Sequence, residues 1–132
     1  MIFIDSNIPM YLVGAPHPNK SAAKAVLERA IVNDERLITS AEVMQEILHR
    51  YVAINRRDAI EPACSALLAV ADAVSSVTPA DVHRAKAIVL SQADLSARDA
   101  LHVAVMERHG VSRIMSFDAG FDRWPGVERV TE

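Results

Sequence analysis

Residues 1–7, Met1-Ile2-Phe3-Ile4-Asp5-Ser6-Asn7, decide the fold. Ile2-Phe3-Ile4 shows no polar alternation, which is the pattern of a strand buried on both faces, as in a parallel sheet. The strand then ends on a carboxylate. An acid beside buried apolar surface is costly unless something positive neutralises it. No lysine or arginine adjoins Asp5 in sequence. Ser6 or Asn7 can cap the short helix that Pro9 helps to start, so capping does not require Asp5.

The same alternation continues outward from this opening. Gly14 to Asn19 is a loop by composition, and a helix is expected over 21–33, with Ala23, Val26, Leu27, Ala30 and Ile31 on its apolar side. Leu37-Ile38-Thr39 reads as a second strand. Ser40 then caps a helix running to about Asn55, where Val43, Met44, Ile47, Leu48, Tyr51 and Val52 fill half of the helical wheel. Glu46 falls at the edge of that arc, and Glu42, one turn earlier, points further toward solvent. A helix over 57–73 follows, kinked or started by Pro62, with a third strand at 74–77. Thr78-Pro79 opens a helix to about Ala93, and Ser96 caps another that ends at Gly110. Strands at 113–117 and 127–130 close the chain. This order predicts one domain over 1–132: a central parallel sheet of four to five strands in a three-layer α/β/α arrangement. Ligands of such sheets bind beyond the carboxyl ends of the strands at the topological switch point, where Asp5 and Asp118 are expected.

The bulk composition narrows the functional classes. With 14 Lys and Arg against 17 Asp and Glu, the net charge is −3, unlike a generic polyanion binder. Aromatic residues make up 5% of the chain, which does not suggest an extended base-stacking platform. The single cysteine, Cys64, excludes an internal disulfide and fits a reducing compartment, where it is read as a helix-packing residue. No stretch reaches the ~18–20 apolar residues of a membrane span, and no signal-peptide pattern precedes the first strand. A cytoplasmic protein is expected.

Four acids stand out: Asp5, Glu46, Asp99 and Asp118. Asp99 opens the apolar run Ala100-Leu101-His102-Val103-Ala104-Val105-Met106 and falls between Val103 and Met106 on the wheel. The helix dipole explains an acid in a first turn, but it does not explain those apolar flanks. Asp118 follows the strand-like Arg113-Ile114-Met115-Ser116-Phe117 and also suits a turn in Asp-Ala-Gly. Glu46 alone reads equally as a solvated helix acid, and Glu42 competes with it. Oxygen ligands of this kind suit Mg²⁺ or Mn²⁺ rather than zinc. His102 lies on the helix just after Asp99 and could reach the site, although its first reading is a partly exposed helix histidine, and His17, His49, His83 and His109 lack zinc-site spacing.

At these residues the chain resembles a known family. Met1-Ile2-Phe3-Ile4-Asp5-Ser6-Asn7 is similar to the opening strand and Asp-Ser/Thr-Asn/Ser motif of PIN-domain nucleases. Ser40-Ala41-Glu42-Val43-Met44-Gln45-Glu46-Ile47 resembles the second acidic motif, with Glu46 in the place of the acid. Asp99-Ala100-Leu101-His102 resembles the third, and Ser116-Phe117-Asp118-Ala119-Gly120-Phe121 the last. The four occur in family order along the whole chain, and the chain's size points to VapC toxins of bacterial toxin–antitoxin pairs.

That resemblance implies an endoribonuclease in which Asp5, Glu46, Asp99 and Asp118 hold one or two Mg²⁺ or Mn²⁺ ions, and an activated water attacks phosphate in line. Asp94 and Asp122 are candidate outer ligands, and Ser6 and Ser116 candidate hydroxyls for orienting water. Arg50, Arg56 and Arg57 form the densest basic cluster and are the candidate RNA contacts. The family also implies a homodimer and a cognate antitoxin, for which Tyr11, Leu12, Val13, Tyr51 and Val52 are candidate interface residues, although Val52 suits the core as well. Two alternatives compete: an inactive PIN-like binding module, and a phosphatase using Asp5 as nucleophile. The phosphatase would want a second acid where Asn7 stands.

Overall fold

A computed structural model describes residues 1–130. Its order is β1 (Ile2–Ile4), α1 (Asn7–Val13), α2 (Pro18–Val32), β2 (Leu37–Ser40), α3 (Ala41–Ala53), α4 (Ile60–Val70), β3 (Ala73–Ser75), α5 (Pro79–Ser91), α6 (Ala97–Arg108), β4 (Arg113–Met115) and β5 (Glu128–Val130). Two 3₁₀ turns, Arg57–Ala59 and Ala119–Arg123, complete it.

All strand pairs are parallel, and the strands lie in the order β3-β2-β1-β4-β5. The chain therefore builds outward from β1 to one edge, then returns to add β4 and β5 on the other side. β1 is the central strand, and Ile2, Phe3 and Ile4 are fully enclosed, as their unbroken apolar pattern requires. The switch point lies between β1 and β4, whose ends are laced by the Asp5 N–H donating to the Met115 carbonyl at 3.1 Å. On the other side the Thr39 hydroxyl donates to the Ile4 carbonyl at 3.0 Å. Helices flank the sheet in the expected three-layer arrangement: α5 packs on α6, and α1 packs on α2 and α4.

The element boundaries differ from the sequence reading in informative ways. α2 starts at Pro18 rather than Ser21, because the His17 ring caps it by accepting the Asn19 N–H at 3.0 Å, and proline suits the first helical position. Pro62 lies in the first turn of α4, where its missing N–H costs nothing, so it neither kinks the helix nor begins it. α5 ends at Ser91, and β4 stops at Met115. Gly110 has φ +68, the left-handed conformation that closes α6.

The helical core stripes are also narrower than the wheels suggested. In α3 only Val43, Ile47 and Tyr51 are buried, whereas Leu48 and Val52 are 40% and 42% exposed. Ile31 and Leu68 are exposed as well. A helix lying on a sheet buries its i, i+4, i+8 row, and the flanking apolar positions stay outside it. Cys64 is half-buried against the core, and burial pushes its thiol pKa up, away from reactivity. Among the described residues no helix is long and apolar enough to cross a membrane.

Candidate active site

Because β1 and β4 are adjacent and parallel, their carboxyl ends bring Asp5 and Ser116 together. Asp5 is 4% exposed, and its Oδ1 accepts the Ser6 N–H at 2.7 Å. Its Oδ2 accepts the Ser116 hydroxyl at 2.6 Å. The Asn7 side chain spans the same junction, donating to Ser116 Oγ at 3.2 Å and accepting the Phe117 N–H at 3.3 Å. Asn7 thus braces two strand ends, and no second acid for phosphatase chemistry stands there. Burial raises the Asp5 pKa despite the opposing effect of His102 and the Ser116 hydrogen bond.

The other acids arrive on three separate elements. Glu46 projects from the middle of α3, where Ser6 Oγ donates to its Oε2 at 3.1 Å. Asp99 lies in the first turn of α6, its N–H accepted by Ser96 Oγ at 3.1 Å. Asp118 caps the last 3₁₀ turn by accepting the Gly120 N–H on Oδ1 at 2.8 Å. Asp99 and Asp118 converge: a Cβ on Gly120 would meet Asp118 Oδ1 at 3.0 Å and Asp99 Oδ2 at 3.1 Å. Burial, followed by repulsion from Asp118 and then Asp5, pushes the Asp99 pKa up to about 7.

His102 corrects the sequence reading. It is fully buried rather than partly exposed, its Nε2 lies against the Glu46 carboxylate, and it is 3.8 Å from Asp5 Oδ1. Burial alone would lower the His102 pKa, but Glu46 and Asp5 together raise it. The signal was present in the sequence, since Asp99 and His102 are three residues apart and share a helix face.

Asp5, Ser6, Glu46, Asp99 and Asp118 line one cavity of about 860 Å³. Glu42, one turn from Glu46, is not among the lining residues. Asp94 is exposed, and its main-chain carbonyl accepts from Arg123 at 3.0 Å. Asp122 pairs with Arg129 at 2.9 Å. Neither Asp94 nor Asp122 reaches the cavity.

Arg50 lines the cavity, whereas Arg56 is held by Asp58 at 3.1 Å and Arg57 lies outside it. Arg98, which no sequence pattern marked, lines it as well. A short aromatic row borders the acids despite the low aromatic content. Tyr11 stands edge-on to Phe117 at 5.2 Å and tilts over His17 at 4.9 Å. Of the candidate interface residues, Tyr51 is buried, Leu12 and Val13 are half-buried against the core, and Val52 is exposed.

The donor set fits a divalent cation. Asp5, Glu46 and His102 each offer an atom within 4.8 Å of the others, and Asp99 and Asp118 add carboxylate oxygens to the same cavity. The raised Asp99 pKa reflects burial and the crowding of Asp118 and Asp5 around it, negative charge that a cation would relieve.

Comparison with known proteins agrees with this geometry. The PIN domain family model matches residues 2–127. Ribonuclease VapC13 of Mycobacterium tuberculosis is 56% identical over 130 residues, covering 98% of this chain and 99% of that protein. Among solved structures, M. tuberculosis VapC20, described as a sarcin–ricin loop cleaving toxin, superposes with a TM-score of 0.76 at 24% identity over the full length of both chains. VapBC2 of Rickettsia felis, bound to a promoter DNA fragment, gives 0.75 at 12% identity, also over both full lengths. The cavity of acids at the β1–β4 switch point and the matches along nearly the whole chain agree: this chain belongs to the PIN-domain family, among the VapC ribonucleases.

Proposed function

We propose that the chain is an endoribonuclease dependent on Mg²⁺ or Mn²⁺, the toxin half of a VapBC-type pair, working as one domain. The observation that carries this is the convergence of Asp5, Glu46, Asp99 and Asp118, from four separated segments, on one cavity. Asp5, Asp99 and Asp118, with Glu46, would hold the metal. When bound there, the ion supplies Lewis acidity that makes water a competent nucleophile near neutral pH and offsets charge building on the phosphate.

The chain's own residues do the remaining work. Ser116 and the Ser6 N–H hold Asp5 in one orientation, and Ser6 Oγ holds Glu46. Asp99, with a pKa near 7, gives up its proton readily once a cation is present. Arg50 and Arg98 line the cavity, which supports assigning them the phosphate contacts. Arg56 and Arg57 would act only on RNA extending beyond the cavity.

The partner would be a cognate antitoxin covering the cavity, in line with the VapBC assembly among the solved neighbours. A homodimer and a cytoplasmic location go with this assignment. The test is cleavage of total cellular RNA by antitoxin-free protein with Mg²⁺ or Mn²⁺, beside Asp5→Asn and an EDTA control. Cleavage lost in both controls supports the proposal. Folded, metal-binding protein that cuts no RNA pool would instead make this a binding module.

A further inference from the structure

His102 belongs to none of the acids assigned above, yet it is the most enclosed polar side chain of the site. Its exposure is 0%, and its ring tilts against Phe3 at 5.6 Å and Phe121 at 6.4 Å between centroids. Nε2 meets the Glu46 carboxylate, and Nδ1 has no hydrogen-bond partner among the described residues. Two roles compete: ligand to the cation, or donor to Glu46.

The orphaned Nδ1 separates them. To bind a cation through Nε2, the ring would present a lone pair there and carry its proton on Nδ1. Imidazoles that bind metals almost always hand that second N–H to an acceptor. Here it would be buried with none, and the Nε2 lone pair would face a carboxylate oxygen. With the proton on Nε2 the close contact becomes a charge-assisted hydrogen bond, and only an acceptor nitrogen is left bare among apolar rings. Glu46 is then held at both oxygens, by His102 on Oε1 and by Ser6 Oγ on Oε2 at 3.1 Å. Each oxygen keeps lone-pair capacity for a cation.

We infer that His102 is a positioning residue: its Nε2–H holds the Glu46 carboxylate beside Asp5, and the cation is taken by carboxylates alone. The inference rests on the metallonuclease assignment. It also specifies that site, since an all-oxygen set accepts Mg²⁺ as readily as Mn²⁺, whereas an imidazole ligand would favour Mn²⁺.

The experiment titrates Mn²⁺ into full-length wild-type, His102→Gln and His102→Leu proteins. Affinity is read by calorimetry and nitrogen coordination by pulsed electron paramagnetic resonance. Glutamine can present an amide N–H near the Nε2 position, whereas leucine fills the apolar surroundings without a donor. The expected result is no directly coordinated ¹⁴N signal in wild type, Mn²⁺ affinity largely kept by His102→Gln, and a loss of roughly 10- to 100-fold in His102→Leu. On RNA, His102→Leu should lower kcat more than it raises KM, with rescue by glutamine. A ¹⁴N signal in wild type that disappears in His102→Gln would overturn the inference and make His102 a ligand. Unchanged affinity in folded His102→Leu would also overturn it. Wild-type protein that binds no Mn²⁺ would instead sink the metallonuclease assignment, and this inference with it.

Discussion

The Ser116 hydroxyl donates to the Asp5 carboxylate at 2.6 Å, joining side chains 111 residues apart in sequence across the β1–β4 junction. That bond is possible because the two strands are adjacent, parallel and in register at Ile4 and Met115. Removing it in Ser116→Ala leaves Asp5 buried with less stabilisation of its charge, so its raised pKa should rise further. The expected outcome is a loss of roughly 10-fold in metal affinity and cleavage rate, as for other outer-shell partners. Calorimetric metal titration of the folded variant checks it.

Gly120 supplies a second test. Its backbone carries no positive φ, so alanine is tolerated by the chain itself. The added methyl, however, would sit 3.0 Å from Asp118 Oδ1 and 3.1 Å from Asp99 Oδ2. Gly120→Ala should spread these two carboxylates and weaken metal binding by about 10-fold or more, the cost of a displaced ligand shell. Its thermal stability should stay close to wild type. A variant with normal affinity would show that the two acids do not act at one centre.

Stability of the metal-free protein should fall as pH rises. The Asp99 pKa is raised from 3.8 to about 7, so across that window the folded state holds more protons than the unfolded state. Stability is therefore lost progressively as pH climbs from 3.8 to about 7, and it stays lost above. The raised values of Asp5 and His102 slope the same way, the His102 contribution being complete below its ordinary 6.5 and lost as pH rises through its folded value. Thermal melts without metal should show a higher Tm near pH 5 than near pH 8. Asp99→Asn should flatten that slope and raise the Tm at the higher pH by several degrees, about 1 kcal/mol for a domain of this size. The same variant should lose RNA cleavage.

The arginines can be ranked by salt dependence. Arg50 and Arg98 face the cavity, and Arg57 does not. Replacing either of the first two with glutamine should reduce the slope of log affinity against log salt by about 0.7, one single-strand phosphate contact. Arg57→Gln should leave the slope unchanged. Fluorescence anisotropy with an RNA oligonucleotide on a cleavage-dead background measures it.

Asp81 provides a contrast, an acid serving structure alone. It is 3% exposed, caps α5 through Thr78, and takes a two-pronged bond from Arg108 at 2.8 and 2.9 Å. The Arg108 guanidinium holds its pKa down at about 2, so its stabilisation persists above 3.8 and is lost only in strong acid. Asp81→Asn should cost about 2 kcal/mol, within the usual range for a broken cap and ion pair. Cleavage per folded molecule should be unchanged.

What could be read along the chain was what short-range chemistry controls. The apolar run of β1 required a sheet buried on both faces, the caps at Ser40, Thr78 and Ser96 placed three helix starts, and Asp99 stood out against its own apolar helix. The five parallel strands follow from the alternation of strands and helices. The two candidate acids of α3 were not separable, because Glu42 and Glu46 differ by one helical turn and share its periodicity. Only the position of α3 relative to Ser6 and His102 distinguishes them, and it brings Glu46 to the cavity.

The sequence by itself determined the fold class, marked Asp5, Asp99 and Asp118 as candidate acids and located the strand ends that would carry two of them, because burial patterns and helix caps act within a few residues. Tertiary structure alone decided that His102 is interior, that Ser116 serves Asp5, that Arg98 faces the cavity, and that Asp94 and Asp122 do not. Each of those depends on which elements become neighbours across the β1–β4 switch point. That choice is set by the summed packing of the whole core, and no local pattern in the chain encodes it.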